Sequence, residues 1–328
     1  MRRTYTALAA ALLFAGLVGC GGTSASSNSG PASDGGDAKK VMSCTEELTF
    51  TKPPERILML SETDFPILHD LGLDDKIIAR AGVDKVSMDD DPELRAALDK
   101  IPTIEAGNTG TGGAKITTEA ALSVNPDVVF GYDSGVDRNG LREAGIPLYS
   151  PDAFCDSNPT THADWSLVNT EIDKVATIFG VEDKATTLKT EVDAKVAEIK
   201  KNALTGNQTA VALYLMNGQQ DFYAYGTSSM VQPIFEVNGL KNIYDDTTER
   251  VFDASMEALL DRNPDWIVVL VSEMTNEEAQ RTLASLPGSG DLKAVHENHV
   301  VYIPFALTDP PTTLSLNGAN RLGELITK

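Results

Sequence analysis

Ser255-Met256-Glu257-Ala258-Leu259-Leu260-Asp261-Arg262-Asn263-Pro264-Asp265 runs directly into Trp266-Ile267-Val268-Val269. Ser255 is suited to a helix N-cap, and Glu257 falls in the first turn, where the helix dipole favours negative charge. Asn263-Pro264 ends the short helix, because the residue before proline is pushed out of the α region. The apolar run from Trp266 then reads as a buried strand. The pattern occurs once before. Thr117-Thr118-Glu119-Ala120-Ala121-Leu122-Ser123-Val124-Asn125-Pro126-Asp127 leads into Val128-Val129-Phe130, each residue 138 positions ahead of its counterpart.

A second pair of stretches supports a diluted internal repeat. Phe65-Pro66-Ile67-Leu68-His69-Asp70-Leu71-Gly72-Leu73 matches Gln232-Pro233-Ile234-Phe235-Glu236-Val237-Asn238-Gly239-Leu240 at an offset of 167. Each reads as a helix ended by glycine. Strand-like runs precede them, Arg56 to Leu60 in one case, Ala210 to Met216 with Phe222 to Tyr225 in the other. Strands alternating with helices predict α/β architecture with mainly parallel sheets, in two related lobes. Between the lobes lies the longest helical pattern. Val168, Ile172, Val175 and Phe179 mark a first helix, opened by Trp165 and ended by Gly180. Ala185, Leu188, Val192, Val196 and Ile199 mark a second, over 182–202. A twenty-residue helix spans roughly 30 Å, enough for a strut between lobes.

The N-terminus is an address. Arg2 and Arg3 precede an apolar run from Ala7 to Val18, as in an export signal, and the run is too short to span a bilayer comfortably. Leu17-Val18-Gly19-Cys20 resembles the lipobox of bacterial lipoproteins, in which the cysteine is acylated and becomes the mature N-terminus. An ordinary export signal with a chance cysteine is the alternative. The resemblance implies a signal peptide over 1–19 and an anchor at Cys20 on the outer face of the cytoplasmic membrane. Residues 20–43 are mostly small and polar, a flexible tether. Residues 44–181 then form an N-terminal lobe and 203–328 a C-terminal lobe.

Net charge is −21, and loss of Arg2 and Arg3 makes the mature chain more acidic still. Phosphate binding needs a basic surface, so nucleic acid is not an expected partner. Of the three cysteines, Cys20 is committed to lipid on this reading. Cys44 and Cys155 form an even pair in an oxidising compartment, and a disulfide is the economical assignment. Two free thiols or half of a metal site are the alternatives.

The order and spacing of several motifs then resemble one family. Pro54-Glu55-Arg56-Ile57-Leu58-Met59-Leu60-Ser61 followed by a helix and Leu71-Gly72 looks like the opening of the helical-backbone (class III) substrate-binding proteins of ABC importers for iron-siderophores, haem or cobalamin. The Asn-Pro-Asp strand entries, Phe179-Gly180-Val181, and Leu292-Lys293-Ala294-Val295 before Val300-Val301-Tyr302 are similar too. The resemblance covers about residues 50–328. It implies two Rossmann-like lobes joined by one long backbone helix, a ligand cleft between them, limited lobe movement, and a monomer without cofactor. It also implies a permease and its ATPase as partners, docked through one acidic residue per lobe. Asp137 and Glu236 are the candidates.

Ligands of open α/β sheets bind beyond the carboxyl ends of the strands. That rule selects the loops carrying Ser61, Glu62, Tyr132, Asp133, Asn217, Tyr225, Ser228, Glu273, Phe305 and Thr308. Phe154 and Tyr223 add aromatic surface, and strand alternation sends Tyr223 and Tyr225 to one face, towards either ligand or core. Aromatic walls suit a bulky ligand. An anionic ferric complex would want an arginine or lysine cluster. The expected mouth offers Arg138, Arg250 and Arg80 against Glu62, Asp64, Asp133 and Glu273. This favours a neutral or cationic ferric siderophore of the hydroxamate type, unless those acids merely face solvent. His69, His162, His296 and His299 fall outside the selected loops, so no metal site is expected, while haem held through Tyr132 or Tyr225 remains an alternative.

Enzyme signatures are missing: there is no Gly-x-Ser-x-Gly, His-Glu-x-x-His or Walker A pattern. Gly107 to Gly113 is glycine-rich without the lysine of a phosphate loop, and reads as a mobile rim of the cleft. Two functions from other classes compete with import. One is an anchored enzyme using Asp133 and Glu273 as a carboxylate pair. The other is a ligand sensor for a second envelope protein.

Overall fold

The structure, a computed structural model, describes residues 38–81, 91–108, 114–155, 160–272, 274–309 and 311–327. The export signal, Cys20, Glu273 and the centre of the glycine-rich loop lie outside them. The chain enters as an antiparallel hairpin of β1 (Lys39–Ser43) and β2 (Glu46–Phe50). The tether therefore ends before residue 43. Val41 and Ser43 are buried while their neighbours are exposed, the alternation of a half-buried strand.

In the first lobe β3 (Ile57–Met59), β4 (Ile77–Ala81), β5 (Thr103–Ile104), a small ladder of β6 (Gly107–Asn108) with β7 (Ala114–Lys115), β8 (Val128–Phe130) and β9 (Leu148–Tyr149) follow in turn. Five of them make one parallel sheet in the order β5-β4-β3-β8-β9. Its helices are α1 (Phe65–Asp70), α2 (Pro92–Leu98), α3 (Thr118–Ser123) and α4 (Arg138–Glu143). Two long helices follow, α5 (Ser166–Phe179) and α6 (Glu182–Lys200). Gly180 separates them in the left-handed region at φ 67°, which favours a residue without Cβ.

The second lobe runs β10 (Thr209–Leu215), β11 (Phe222–Tyr225), α7 (Val231–Val237), β12 (Lys241–Asn242), β13 (Val251–Ala254), α8 (Met256–Arg262), β14 (Trp266–Val271), α9 (Asn276–Ser285), α10 (Lys293–His296), β15 (Val300–Pro304) and α11 (Leu314–Ile326). Its sheet order is β13-β11-β10-β14-β15, with β12 beside β10. Here the expectation of parallel pairing holds only in part, because β11 is antiparallel to both β10 and β13. Only the short turn from Met216 to Asp221 separates β10 from β11, and a link that short returns the chain antiparallel, since a parallel crossover needs a dozen residues or more.

The repeat is visible atom by atom. Thr117 and Ser255 each accept a hydrogen bond from the backbone N–H three residues on, at 3.2 Å in both lobes. Asn125 and Asn263 both adopt left-handed backbone, φ 52° and 40°. Asp127 Oδ2 accepts from the Glu55 N–H (2.8 Å), and Asp265 Oδ2 accepts from the Thr209 N–H (2.7 Å). Each Asn-Pro-Asp thus turns the chain out of a helix and ties the next strand to its neighbour.

One apolar core runs through both lobes. Ile57 and Met59 of β3, Ile172 and Val175 of α5, Val192 and Ile199 of α6, Ala210 and Ala212 of β10 and Leu322 of α11 belong to it. The opposite sheet faces have their own cores, around Leu58 and Val129 in the first lobe and around Leu213 and Val269 in the second. The long helices therefore share their buried faces with two sheets. Lys184 of α6 also donates to the Leu71 carbonyl of the first lobe. Cys44 and Cys155 are disulfide-bonded with Cα atoms 5.3 Å apart, which pins the entry hairpin to the end of the first lobe.

The lobe boundary differs from expectation in one respect. Residues 160–163, assigned to the first lobe, hydrogen-bond to the second. Thr227 Oγ1 donates to the Thr161 carbonyl (2.6 Å), and the Ala163 N–H donates to the Thr227 carbonyl (2.7 Å). The chain crosses to the second lobe before α5 begins. No helix of the described residues is long and apolar enough to cross a membrane.

Candidate functional site

Two small cavities lie where the lobes meet. The first, about 20 Å³, is walled by Thr63, Asp64, Tyr149 and Glu171 on one side and by Pro311 and Thr312 on the other. The second, about 10 Å³, lies between Asp152, Thr160 and Glu171 and the second-lobe residues Ser228, Met230 and Asp309. Each has room for about one water. Neither cavity admits a ligand of siderophore size as it stands.

Aromatic side chains form two groups. Tyr132 and Phe154 stack in the first lobe, ring centroids 3.7 Å apart and 15° from parallel. In the second lobe Tyr214 meets Phe305 edge-on at 5.8 Å and Tyr223 at 6.5 Å. Tyr132 faces Arg250 and Asp309 of the second lobe, whose charges act on its hydroxyl, though burial is what raises that hydroxyl well above its ordinary value. Arg250 is ion-paired with Asp309, which is 1% exposed. Asp309 also accepts from the Met230 N–H at 3.3 Å. Tyr225, proposed from the sequence as a ligand wall, is 3% exposed and lies within the shared core. Its burial also raises its hydroxyl, and Asp309, Arg250, Tyr214 and Tyr132 act on it. Tyr223 and Tyr225 do share a face, because Phe222 and Ala224 pack into the opposite core.

The strand-end rule holds for Ser61, Tyr132, Asn217 and Phe305, which follow β3, β8, β10 and β15. It fails for the loop after β11. That strand runs against β10, so Gly226, Thr227 and Ser228 lie toward the amino ends of β10 and β14. Ser228 still borders the second cavity. Asn217 is exposed in the hairpin turn. Ser61 and Thr308 are buried and engaged locally: Ser61 Oγ meets Thr63 Oγ1 at 2.6 Å, and Thr308 Oγ1 donates to the Phe305 carbonyl at 2.9 Å.

The expected acidic mouth is largely neutralised. Glu62 is buried and ion-paired with Arg80. Asp133 pairs with Arg138 at 2.5 Å, and Arg138 also holds Glu46 at 3.0 Å. Glu273 lies outside the described residues. Asp64 is 7% exposed, and its carboxyl is held well above the usual carboxylate range, first by burial and then by the charge of Glu171. Burial likewise raises Glu171, against the opposing pull of Lys174 and of the Tyr149 hydroxyl that donates to it. The Asp152 N–H donates to the other Glu171 oxygen at 3.2 Å. Asp64 and Glu171 depart from the expectation: the carboxyls that line the cleft cavity are buried and do not form an exposed negative rim.

Tyr214, Glu171 and Asp309 escaped the sequence reading. A signal existed for two of them. Tyr214 alternates with Ala210 and Ala212 on the face that Tyr225 shares. Glu171 stands three residues after Val168 and four before Val175, an acid on an apolar helical stripe. Asp137 and Glu236 are both exposed. Asp137 caps α4 through the Asn139 N–H, and Glu236 meets His162 at 3.2 Å. Among the described residues no group of three or more His, Cys, Asp or Glu side chains is arranged to hold a metal.

Two α/β lobes on a shared helical spine, with a closed cleft lined by aromatics and buried carboxyls, define a ligand-binding protein of the bilobal type. The family model described as periplasmic binding protein matches residues 57–307, and the chain belongs to that family. A crystal structure described as an ABC-type Fe3+-hydroxamate transport system from Saccharomonospora viridis is 30% identical, with a TM-score of 0.79 over 88% of this chain and 99% of that one. An uncharacterized ABC transporter substrate-binding lipoprotein of Bacillus subtilis, YvrC, is 23% identical over 86% of this chain and 82% of its own length. The haem-binding protein HutB of Vibrio cholerae shares the fold at 19% identity and a TM-score of 0.65, over 83% of this chain and 99% of its own. The chain is thus a substrate-binding protein of the ABC-importer type.

Proposed function

We propose that this protein captures a ferric siderophore of the hydroxamate type and delivers it to an ABC permease and its ATPase, from a lipid anchor at Cys20 on the outer face of the cytoplasmic membrane. The observation that carries the ligand is the 30% identity, over nearly the whole chain, to a protein described as part of an Fe3+-hydroxamate transport system. The cleft chemistry supports it. Tyr132 with Phe154, and Tyr214 with Tyr223 and Phe305, offer flat apolar walls. The cations nearby, Arg80, Arg138 and Arg250, each have a carboxylate partner, which leaves little to attract a multiply charged anion. Burial raises the Tyr132 and Tyr225 hydroxyls, which disfavours the tyrosinate that haem iron would take. A role in binding without catalysis is in keeping with the binding-protein family to which the chain belongs.

Titrating the mature protein with ferrioxamine, a ferric catecholate, haemin and cobalamin, and following Trp165 and Trp266 fluorescence, tests the ligand. Saturable quenching by ferrioxamine alone is expected. Tight binding of a trianionic catecholate with no response to ferrioxamine would overturn the hydroxamate reading and leave the receptor class standing. Docking through Asp137 and Glu236 predicts that Glu236→Lys lowers uptake by cells with ligand affinity unchanged. Lost affinity would assign Glu236 to the cleft instead.

A further inference from the structure

Asp64 is set in the first interlobe cavity in a way its local structure does not require. It sits in the turn after β3, just before α1, yet makes no side-chain cap to that helix. Its Oδ2 is fully buried and has no hydrogen-bond partner. Leaving such an atom unsatisfied costs the fold stability. The neighbouring acid is different: Glu171 receives the Tyr149 hydroxyl, the Asp152 N–H and, at 3.6 Å, the Lys174 ammonium. One carboxyl of the pair is thus saturated and the other is not.

We propose that Asp64 selects the charge of the ligand: its Oδ2 accepts a compact primary ammonium group carried by the ligand, in the cavity closed by Pro311 and Thr312. Three observations converge on this. The cavity, about 20 Å³, takes one group the size of a water, and an ammonium head has that size. Thr63 and Thr312 also line it, and their hydroxyls with Asp64 give an acceptor for each of an ammonium's three donors. Those walls come from both lobes, so a group that seats here holds the lobes together. Charge is conserved in the exchange. Without ligand, burial first and then the charge of Glu171 favour the protonated form of Asp64. As the ammonium enters, that proton leaves to solvent, and the net charge of the closed cavity does not change. A neutral ligand tail makes no such exchange, and an anionic one would face two buried carboxyls.

This inference rests on the hydroxamate reading and is tested so that the two fail separately. The probes are ferrioxamine B, whose linear chain ends in a primary ammonium, and its N-acetylated derivative, which keeps the ferric hydroxamate core and lacks the charge. Calorimetric titration of the mature protein should favour the ammonium form by about tenfold, the scale of one charge-assisted hydrogen bond. Asp64→Asn should bring the two affinities within about twofold by weakening the ammonium form, and a circular dichroism spectrum matching wild type reports an intact fold. A second measurement uses the native protein alone. Titrations in two buffers of different ionisation enthalpy should show release of about one proton with the ammonium form and none with the acetylated form. Equal wild-type affinities, or a preference that survives in Asp64→Asn, would overturn the role of Asp64 and leave the hydroxamate reading standing. Failure of both probes to bind would overturn that reading and this inference with it.

Discussion

At the scale of single residues, the buried carboxyls set the response to pH. Asp64 is raised by burial and by Glu171, and it acts in turn on the Tyr132 and Tyr149 hydroxyls packed near it. Glu171 has Lys174 and the Tyr149 hydroxyl to oppose its shift, and Asp152 adds a like charge. An unfolded aspartate titrates near about pH 4. The folded value of Asp64 lies above that, so from about pH 4 upward the folded chain holds more protons than the unfolded chain. Stability therefore falls as pH rises through this window. Asp64→Asn removes the titration and keeps the shape. Its melting temperature should match wild type near pH 4 and exceed it at pH 7 to 8, read by scanning calorimetry. Parallel pH profiles for the two proteins would mean that Asp64 is ionised in the fold.

At the scale of elements, the two Asn-Pro-Asp units are the same device used twice. The cap at Thr117 and the cap at Ser255 have equal length, 3.2 Å, and hold helices of six and seven residues. Helices this short draw little on propensity, so the cap and the packing behind it matter more. Thr117→Ala and Ser255→Ala should each cost about 1 kcal/mol in urea denaturation. The sites lie in different lobes and share no partner, so the double variant should cost about 2 kcal/mol. A double variant no worse than either single one would show that only one lobe limits stability. The disulfide acts at the same scale. It closes a segment of 111 residues, and a chain of that length is worth about 4–5 kcal/mol in the loop-entropy account. Thiol labelling of the denatured, unreduced protein should find neither Cys44 nor Cys155 free, and full labelling of both would remove the crosslink.

At the scale of the molecule, the shared core restrains how the lobes move. Ile172 and Val175 of α5 and Val192 and Ile199 of α6 pack in one apolar cluster with both sheets. Parting the lobes widely would expose part of that cluster, at about 25 cal/mol per Å² of apolar surface. Thr313 Oγ1 also bridges to Asp70 of the first lobe at 2.5 Å. Ligand exchange is therefore expected through small displacements of the loops at the cleft, around Tyr132, Ser228 and Phe305. The anchor is a prediction at this scale too. Replacing Cys20 with Ser should move the protein from the membrane fraction to the soluble fraction or the medium. Retention of the variant on membranes washed in high salt would count against a lipid at that residue.

The two-lobe α/β plan, the capped helices, the Gly180 break and the paired Cys44 and Cys155 were all legible in the chain. Each is written in local chemistry: a hydroxyl before a helix, a residue before proline, a glycine after the last turn, an apolar period. The sense of β11 was settled by the length of a loop and by the pairing of strands, which no single residue encodes. The character of the cleft was decided only by tertiary structure. Glu62, Asp64 and Asp133 look alike in sequence, yet one is paired with Arg80, one is buried without a partner at Oδ2, and one is held by Arg138. Whether a carboxyl is a charge, a proton carrier or half of an ion pair depends on what the fold brings within about 4 Å of it and on how much water it leaves there. The sequence determined which acids exist, and the packing of two lobes decided what each of them is.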